Sequence, residues 1–513
     1  MLGLGTPMST EGHGGARAAT LDLPPEELEE LGRRFGRLAL EYLSAPEALP
    51  VFPETSAERL AGMFGGGLPT EGVGLEELTR ACAEVFRQSR QNGHPRMFGY
   101  VASPATPVGA FAALAVAALN ANVTSWRSAP GPTEVERTVV RWLAELIGFR
   151  AEGLNEACGG LLTSGGSMAN LNALFVAHRS HAHDASLKGL WGERAPATLY
   201  ASDQVHLSVP KAADLLGIGR EQVRTLPSDE KFRLDVRLLR ERVAADRQAG
   251  LRPFCVVASA GTVATGAVDA LNEVACVARE HSLWFHVDGA YGALAASTDA
   301  KRSLFEGLAE ADSVSLDPHK WLYTPLGCGC LLLREPERAR AAFAGTEEGY
   351  IKVFEREEAE AFAFWDYGAE LSRPFRALKV WATLLYYGAG RVAAAIAEDC
   401  AMAEYMAEHV RAAEDFELLA PVTLGICCFR YARADARRGL EDEEGRDETN
   451  ARLDKLNERV MRRVQRGGYA YVSNASLRGR FALRASVTNY RTTRRDIDTT
   501  LEVIRRAAHE LEM

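Results

Sequence analysis

The sequence predicts an α/β protein whose central sheet is mainly parallel and covered by helices. Short, continuous apolar segments predict its strands, at 196–202, 254–260, 283–288, 312–316 and 328–333. Helical segments such as 232–249 and 268–281 lie between them, and this alternation is typical of parallel strands joined by crossover helices. Functional groups in such sheets collect at the carboxyl ends of the strands. Chemistry-bearing side chains are therefore expected where these strands end.

The N-terminal part of the sequence differs in composition and pattern from this α/β region. Residues 1–20 lack the charged start and apolar core of a secretory signal, and we expect a disordered tail there. Residues 21–100 predict a helical segment, since apolar side chains recur at helical spacing from Leu28 to Leu38.

The main α/β unit is expected over 101–390, and a smaller α+β unit over 391–513. The second unit is predicted from helices at 391–415, 448–467 and 494–511 and strands at 423–430 and 481–486.

Composition narrows the function classes. The 513 residues carry a formal net charge of −10, which argues against a nucleic-acid or anionic-membrane partner. The longest apolar stretch, near 108–119, is too short to span a bilayer. The nine cysteines are scattered and none forms a C-x-x-C pair, so neither a metal site nor a disulfide framework is expected. A reduced, cytoplasmic enzyme is predicted.

A possible phosphate cradle lies at "TSGGS" (163–167), just before a predicted helix. Glycines let the backbone approach a ligand, and free N–H groups at a helix N-terminus attract an anion. The segment lacks the glycine patterns of dinucleotide folds and of P-loops. Alone, such a helix start is more often a simple turn.

Asp288 ends the apolar strand "LWFHVD", and His286 shares its face of that strand. A carboxylate at the end of an apolar strand is costly unless it is paired. A helix cap or a structural pair with an arginine would explain Asp288 equally well. Lys320, in "DPHKW", is either a surface lysine with a buried stem or a lysine buried for chemistry.

Together these three features match the needs of pyridoxal phosphate (PLP). The cradle would hold the phosphate, and Lys320 would form a Schiff base with the aldehyde. The carboxylate of Asp288 would keep the ring nitrogen protonated. The joint pattern is far more specific than any of its parts.

The ordered motifs "TSGGSMANL", "SDQVHLSV", "HVDGAYG" and "DPHKW" resemble the PLP-dependent group II decarboxylases, the family of aromatic-L-amino-acid and glutamate decarboxylases. The resemblance runs from about residue 25 to the end of the chain. It implies the fold type I of PLP enzymes, with 101–390 as the large cofactor-binding domain. The cofactor-binding residues that it implies are Gly166, Ser167, His206, Asp288, Ala290, His319 and Lys320.

Within that set, the resemblance implies that His206 stacks on one face of the ring and helps to place the substrate carboxylate, while Ala290 packs on the other. Gly166, Ser167 and His319 would contact the phosphate. Tyr100 and Ser103 fall where the family lines its substrate pocket.

A mobile loop over 345–364 is also implied, and its Tyr350 would be catalytic together with Lys320, His206 and Asp288. Tyr350 would protonate the intermediate while the closed loop excludes water. Family members are homodimers with shared active sites, so we expect the N-terminal helices to embrace a partner and the segment 371–373 to cross over.

Two residues depart from the family pattern. Asp317 stands where aromatic members usually carry asparagine, and we expect its side chain to be turned into a backbone turn, away from the phosphate. Val263 replaces a threonine and removes one expected hydroxyl.

The resemblance implies α-decarboxylation of an L-amino acid to the amine and CO2, through external aldimine and quinonoid intermediates. The segment "RMFGYVAS" is largely uncharged, which favours an aromatic or other apolar substrate. The alternatives are an acidic or diamino acid substrate, an aldehyde synthase or another carbon–carbon lyase, and a binding protein that has lost catalysis.

Overall fold

A computed structural model describes residues 21–149, 159–182, 188–192, 195–344, 360–440 and 445–513. These residues form two compact units. The first contains the chain up to Ala45 together with Ala57–Gln88, and the second contains Pro46–Ser56 together with Ser89–Met513. The domain limits expected from the sequence stay predictions.

The first unit is helical, with α1 (Pro25–Ser44), α2 (Ala57–Phe64) and α3 (Leu75–Arg87). Proline at the start of α1, followed by acidic residues in its first turn, suits a helix N-terminus because the helix dipole favours negative charge there. Tyr42 stacks on Phe86 with 5.6 Å between ring centroids. No residue of these three helices is buried, so their apolar side chains stay largely exposed.

The described elements of the second unit follow in chain order. Its strands are β1 (Met97–Phe98), β2 (Gly160–Thr163), β3 (Ala197–Ser202), β4 (Val223–Leu226), β5 (Arg252–Ser259), β6 (Trp284–Asp288), β7 (Ser313–Leu316), β8 (Gly329–Leu333), β9 (Phe416–Leu418), β10 (Ile426–Tyr431), β11 (Tyr471–Leu477) and β12 (Arg480–Ser486). Its helices are α4 (Pro107–Leu119), α5 (Pro130–Leu146), α6 (Gly166–His181), α7 (Ser208–Leu215), α8 (Val236–Gln248), α9 (Leu271–Glu280), α10 (Pro318–Trp321), α11 (Pro336–Phe343), α12 (Ala377–Ala412), α13 (Ala434–Gly439), α14 (Arg446–Gly467) and α15 (Arg494–Glu512).

The large sheet has the strand order β2-β8-β7-β6-β5-β3-β4. The pairs from β4 across to β7 are parallel, and β8 alone runs antiparallel to its neighbours β7 and β2. The mainly parallel sheet predicted from the sequence is therefore confirmed, and all five predicted strands are present. β2 and β4 were not predicted. Every residue of β6, β7 and β8 is buried, which explains their continuous apolar sequences.

The smaller sheet has the order β1-β11-β12-β10-β9. It contains both strands predicted for the C-terminal part, and α14 and α15 correspond to two of the predicted helices. The helix predicted at 391–415 is the second half of α12, which begins at Ala377. Gly388 interrupts α12 with φ 73° and ψ 156°, a conformation that glycine adopts without strain.

By length and composition alone, α12 is apolar enough to cross a membrane. It also carries the ionisable side chains of Lys379 and Asp399, both buried inside the protein. Buried core helices pass the same test of length and composition, and these two side chains favour that reading of α12.

Candidate cofactor and active site

A cavity of about 710 Å³ opens where β6 and β7 end and α6 begins. It brings together most of the predicted site residues, namely Tyr100, Gly166, Ser167, His206, Asp288, Ala290, His319 and Lys320. Ser103 does not line it; the Ser103 hydroxyl donates a hydrogen bond to the His319 carbonyl instead, at 2.7 Å. Tyr350 and most of the predicted mobile loop lie outside the described residues.

The predicted phosphate loop connects β2 to α6 on the floor of this cavity. No side chain caps the N-terminus of α6. A Cβ atom at Gly166 would lie 2.7 Å from the Cβ of Ala290, so only glycine fits there. The loop therefore keeps its backbone close to the cavity, where N–H groups at a helix N-terminus can bind an anion.

The loop is held from behind by a buried ion pair that sequence reasoning missed. Glu136 on α5 accepts a hydrogen bond from the Leu162 backbone N–H at 2.9 Å. Arg373 pairs with Glu136 and donates to the Leu162 carbonyl at 2.8 Å. Both charged side chains are almost completely buried. Arg373, which was expected to belong to a segment crossing to a partner, is thus enclosed within its own chain.

Asp288 accepts hydrogen bonds on both carboxylate oxygens. Its Oδ2 accepts from the Asn170 amide at 2.8 Å. Its Oδ1 accepts from the Ser315 hydroxyl and from the Ala290 backbone N–H, each at 3.2 Å. All three partners are donors, which is the arrangement that an ionised carboxylate requires. The carboxylate stands ready to pair with a cationic ring nitrogen.

Asn170, on α6, connects Asp288 to two histidines. Its second amide hydrogen goes to Ser208 at 2.9 Å, and Ser208 lies 2.7 Å from Nδ1 of His206. Its carbonyl oxygen lies 3.0 Å from Nε2 of His286, the residue predicted to share a face with Asp288. Burial lowers the pKa of His286 to about 4, so that this imidazole is neutral and donates through Nε2.

Lys320 ends in an ion pair that contradicts one expectation. Its Nζ lies 2.9 Å from Oδ2 of Asp317. Asp317 was expected to turn its side chain into a backbone turn, but the side chain makes no such cap and points at the lysine. The physical reason is charge, because the buried carboxylate of Asp317 is stabilised by the ammonium group of the partly buried Lys320.

His319 lies beside the phosphate loop. Its Nδ1 donates to the Cys328 carbonyl at 2.7 Å. A Cβ atom at Gly165 would lie 3.5 Å from its Cε1. Burial lowers the pKa of His319, so the neutral ring presents Nε2 as an acceptor.

Arg484 is a second residue that sequence reasoning missed. Its Nη1 donates to the Tyr100 carbonyl at 2.7 Å and its Nε to the Val263 carbonyl at 2.8 Å. Its Nη2 is buried and has no hydrogen-bond partner among the described residues. Burial lowers the pKa of this guanidinium, which lines the cavity. It lies within the stretch that the family resemblance covers, from about residue 25 to the end of the chain, and that was the available signal.

These residues fit pyridoxal phosphate. The glycine floor leaves room for a phosphate, since a side chain at Gly166 would fill it. Lys320 reaches the same cavity with a primary amine, and Asp288 offers a carboxylate. Among the described residues there is no cluster of His, Cys, Asp or Glu that would hold a metal ion.

Comparison with known proteins agrees with this fit. The family model for the pyridoxal-dependent decarboxylase conserved domain matches residues 65–432. An aromatic-L-amino-acid decarboxylase from Bacillus atrophaeus is 32% identical over 494 residues, covering 96% of this chain and 98% of that protein. A 4-hydroxyphenylacetaldehyde synthase from Rhodiola rosea is 28% identical, covering 92% of this chain and 93% of the relative.

A solved structure of Oryza sativa TDC with PLP and tryptamine superimposes with a TM-score of 0.87 and 27% identity. The match covers 96% of this chain and 100% of that one. The fold, the cavity and the matched family model lead to one conclusion: this chain belongs to the pyridoxal-dependent decarboxylases, and it is a carboxy-lyase that uses pyridoxal phosphate.

Proposed function

We propose that the protein removes the α-carboxylate of an aromatic L-amino acid, giving the amine and CO2. The observation that supports this proposal is the set of cavity-lining residues outside the predicted cofactor-binding residues. Its wall there includes the uncharged side chains of Tyr100, Val101, Val263 and Leu326. An apolar wall of this kind suits an aromatic ring. The aromatic amino acid decarboxylase and the TDC structure named above support the same substrate class.

Bound pyridoxal phosphate supplies an electron sink for the electron pair of the bond that breaks. Lys320 would hold the cofactor through its primary amine. Asp288 would pair with the ring nitrogen and favour its protonated form, and His206 lines the same cavity, where it would contact the cofactor. The buried Nη2 of Arg484 is free to orient a substrate carboxylate.

The apolar wall also favours the loss of CO2. A carboxylate loses its hydration there, whereas the charge-dispersed transition state loses less. Tyr350 is proposed as the acid that returns a proton to Cα, as the family resemblance implies.

The test is a substrate panel on the purified holoenzyme. Aromatic, aliphatic, acidic and diamino L-amino acids are supplied separately, and CO2 and amine are quantified by mass spectrometry. Tryptophan, tyrosine or phenylalanine should give the highest kcat/KM. A higher kcat/KM for glutamate, aspartate or a diamino acid would overturn the proposed substrate class.

Aldehyde formation is the second candidate, because a relative of similar identity is an aldehyde synthase. That reaction consumes O2 and water and releases the aldehyde, ammonia and hydrogen peroxide with CO2. One assay separates the two outcomes, since peroxide and O2 uptake accompany aldehyde but not amine. The tyrosine at 350 favours the amine.

We further propose a homodimer with shared active sites. Exposed apolar residues on α4 and α12 support it; they are Phe111, Leu114, Leu119, Leu385 and Tyr386. A monomer rarely leaves a patch of this kind uncovered. Light scattering should give twice the chain mass, and Leu114→Glu with Leu385→Glu should lower it toward one chain. A monomeric wild-type protein would refute the dimer.

A cytoplasmic location is proposed as well. None of the eight described cysteines is in a disulfide, as expected in a reducing compartment. Cell fractionation with immunoblotting tests this, and recovery in the membrane or secreted fraction would contradict it.

A further inference from the structure

Asp317 occupies an unusual position for a carboxylate. Its side chain is only 3% exposed, and it lies beneath the glycines of the phosphate loop and of β8. A Cβ atom at Gly166 would lie 3.0 Å from Oδ2, and one at Gly329 would lie 2.8 Å from Oδ1. Oδ1 has no hydrogen-bond partner among the described residues. Asp317 therefore pairs with a cation mainly through Oδ2, which lies 2.9 Å from Nζ of Lys320.

Of the other ionisable groups near this pair, burial favours the neutral form of two, and the third, Lys379, contacts backbone carbonyls. On the same short helix, Nε2 of His319 lies 3.7 Å from Asp317, and burial lowers the pKa of this histidine. Behind it, burial raises the pKa of the Cys328 thiol to about 12, so the thiol is neutral. From α12, Lys379 points its amine at the carbonyls of Pro325 and Leu326.

Three more groups face the cavity from other elements. Asp288, at the end of β6, accepts hydrogen bonds from Asn170 and Ser315. His206 is bonded to Ser208, and Arg484 on β12 is bonded to backbone carbonyls. Among the described residues, none of these three forms an ion pair with Lys320, whereas Asp317 contacts its Nζ directly.

We propose that Asp317 is the counter-ion of Lys320 and that it keeps the Schiff base between Lys320 and pyridoxal phosphate protonated at physiological pH. A protonated Schiff base is a cation at the position of the lysine nitrogen, and a nearby carboxylate favours the charged form. Asp317 acts here as a positioning residue, through electrostatics on Lys320. This inference rests on the role of Lys320 proposed above.

The experiment is a spectrophotometric pH titration of the holoenzyme without substrate. A protonated Schiff base absorbs at longer wavelength than a neutral one, so the titration midpoint can be read directly. Asp317→Asn keeps the size of the side chain and removes its charge. Its midpoint should fall by about one to three pH units, the range for an opposite charge at this separation. Asp317→Ser, also uncharged, should give a fall of the same direction.

Asp312→Asn is the matched control, because it removes a carboxylate at the far end of β7, where Asp312 accepts from the Phe285 N–H. Its midpoint should stay within a few tenths of a unit of the wild-type value. An unchanged midpoint in both Asp317 variants would overturn the role of Asp317. A wild-type holoenzyme with no Schiff-base band would instead overturn the role of Lys320, which distinguishes the two failures.

Discussion

Asn170 donates an amide hydrogen to Asp288, with 2.8 Å between Nδ2 and Oδ2. The same amide group donates to Ser208, which contacts His206, so one side chain orients both the carboxylate and the imidazole of the cofactor site. Hydrogen bonds to charged groups contribute about 1.5–3 kcal/mol. Asn170→Leu should therefore weaken PLP binding about 10- to 100-fold, measured by fluorescence titration.

Asn172→Leu is the control for that variant, because Asn172 is buried on the same helix and does not line the cavity. Its affinity for PLP should stay near the wild-type value. Equal losses in the two variants would mean that α6 responds to any apolar replacement, and would refute a specific role for Asn170.

Lys320→Ala should abolish the Schiff-base absorption and lower the rate of CO2 release to the background level. The reason is that this amine alone, among the described lysines, lines the cavity. Lys379→Ala is the matched control, since Lys379 is also largely buried but bonds to the carbonyls of Pro325 and Leu326. Retention of the Schiff-base band in Lys320→Ala would refute the assignment of Lys320 as the lysine that binds the cofactor.

Gly166→Ala should weaken PLP binding about tenfold or more, because the new methyl group meets the Cβ of Ala290 at 2.7 Å and crowding of this kind costs about 1–3 kcal/mol. Adding Ala290→Gly should restore part of the affinity by making room. Gly390→Ala, where the added Cβ has open space, should bind PLP normally. A double variant as weak as Gly166→Ala alone would argue against this contact.

Arg373→Met should lower the free energy of unfolding by about 3–5 kcal/mol, because it leaves the charge of Glu136 buried without a partner. Arg373→Met combined with Glu136→Leu removes both charges and should recover much of the loss. Urea unfolding of the three proteins measures this. The two residues are not coupled if the double variant has a still lower free energy of unfolding than Arg373→Met, by the amount expected for a second, independent substitution.

Asp399 should make stability fall as pH rises. It accepts hydrogen bonds from Trp321 and Tyr323, and burial raises its pKa to about 7. An unfolded aspartate titrates near about 3.9, so between these values the folded protein holds a proton that the unfolded chain has lost. The free energy of unfolding should decrease across that window by about 4 kcal/mol from this group.

Asp399→Asn should flatten that decrease in urea titrations between about pH 4 and about pH 7. Asp415 provides the control, because its pairing with Arg505 lowers its pKa instead. Asp415→Asn should leave the slope in this pH range unchanged. A wild-type slope in Asp399→Asn would show that another group carries the pH dependence.

The sequence predicted the parts of the site that depend on local pattern. Lys320, Asp288 and the glycine loop each follow or precede a short apolar strand, and their order along the chain suited one cofactor. The parallel arrangement of β3, β5, β6 and β7 followed from the same alternation, whereas the antiparallel direction of β8 did not. β4 was missed because it is only partly buried and carries Arg224, so it lacks a continuous apolar sequence, and β2 was missed although it is as short and as buried as β7.

Contacts between distant segments were beyond that reasoning. In the sequence, Asn170 resembles any other helical residue, and its role becomes visible only where α6 packs across β6. Arg373 contacts Glu136, which lies 237 residues earlier in the chain. Arg484 lies on a strand that was predicted from the sequence, but its side chain lines the cavity, which the pattern alone does not show. Asp317 was placed wrongly because the phosphate, and not the lysine three residues on, was taken as its dominant neighbour.

The Arg373–Glu136 ion pair can form only late in the synthesis of the chain, because Arg373 is made long after Glu136. A chain still leaving the ribosome can complete β2 and the glycine loop long before Arg373 has been made. Until then the carboxylate of Glu136 has no counter-charge, and the wall supplied by Arg484 is missing as well. A chain truncated before Arg373 lacks both Arg373 and Arg484, and we therefore expect it to bind pyridoxal phosphate weakly and to be colourless after purification.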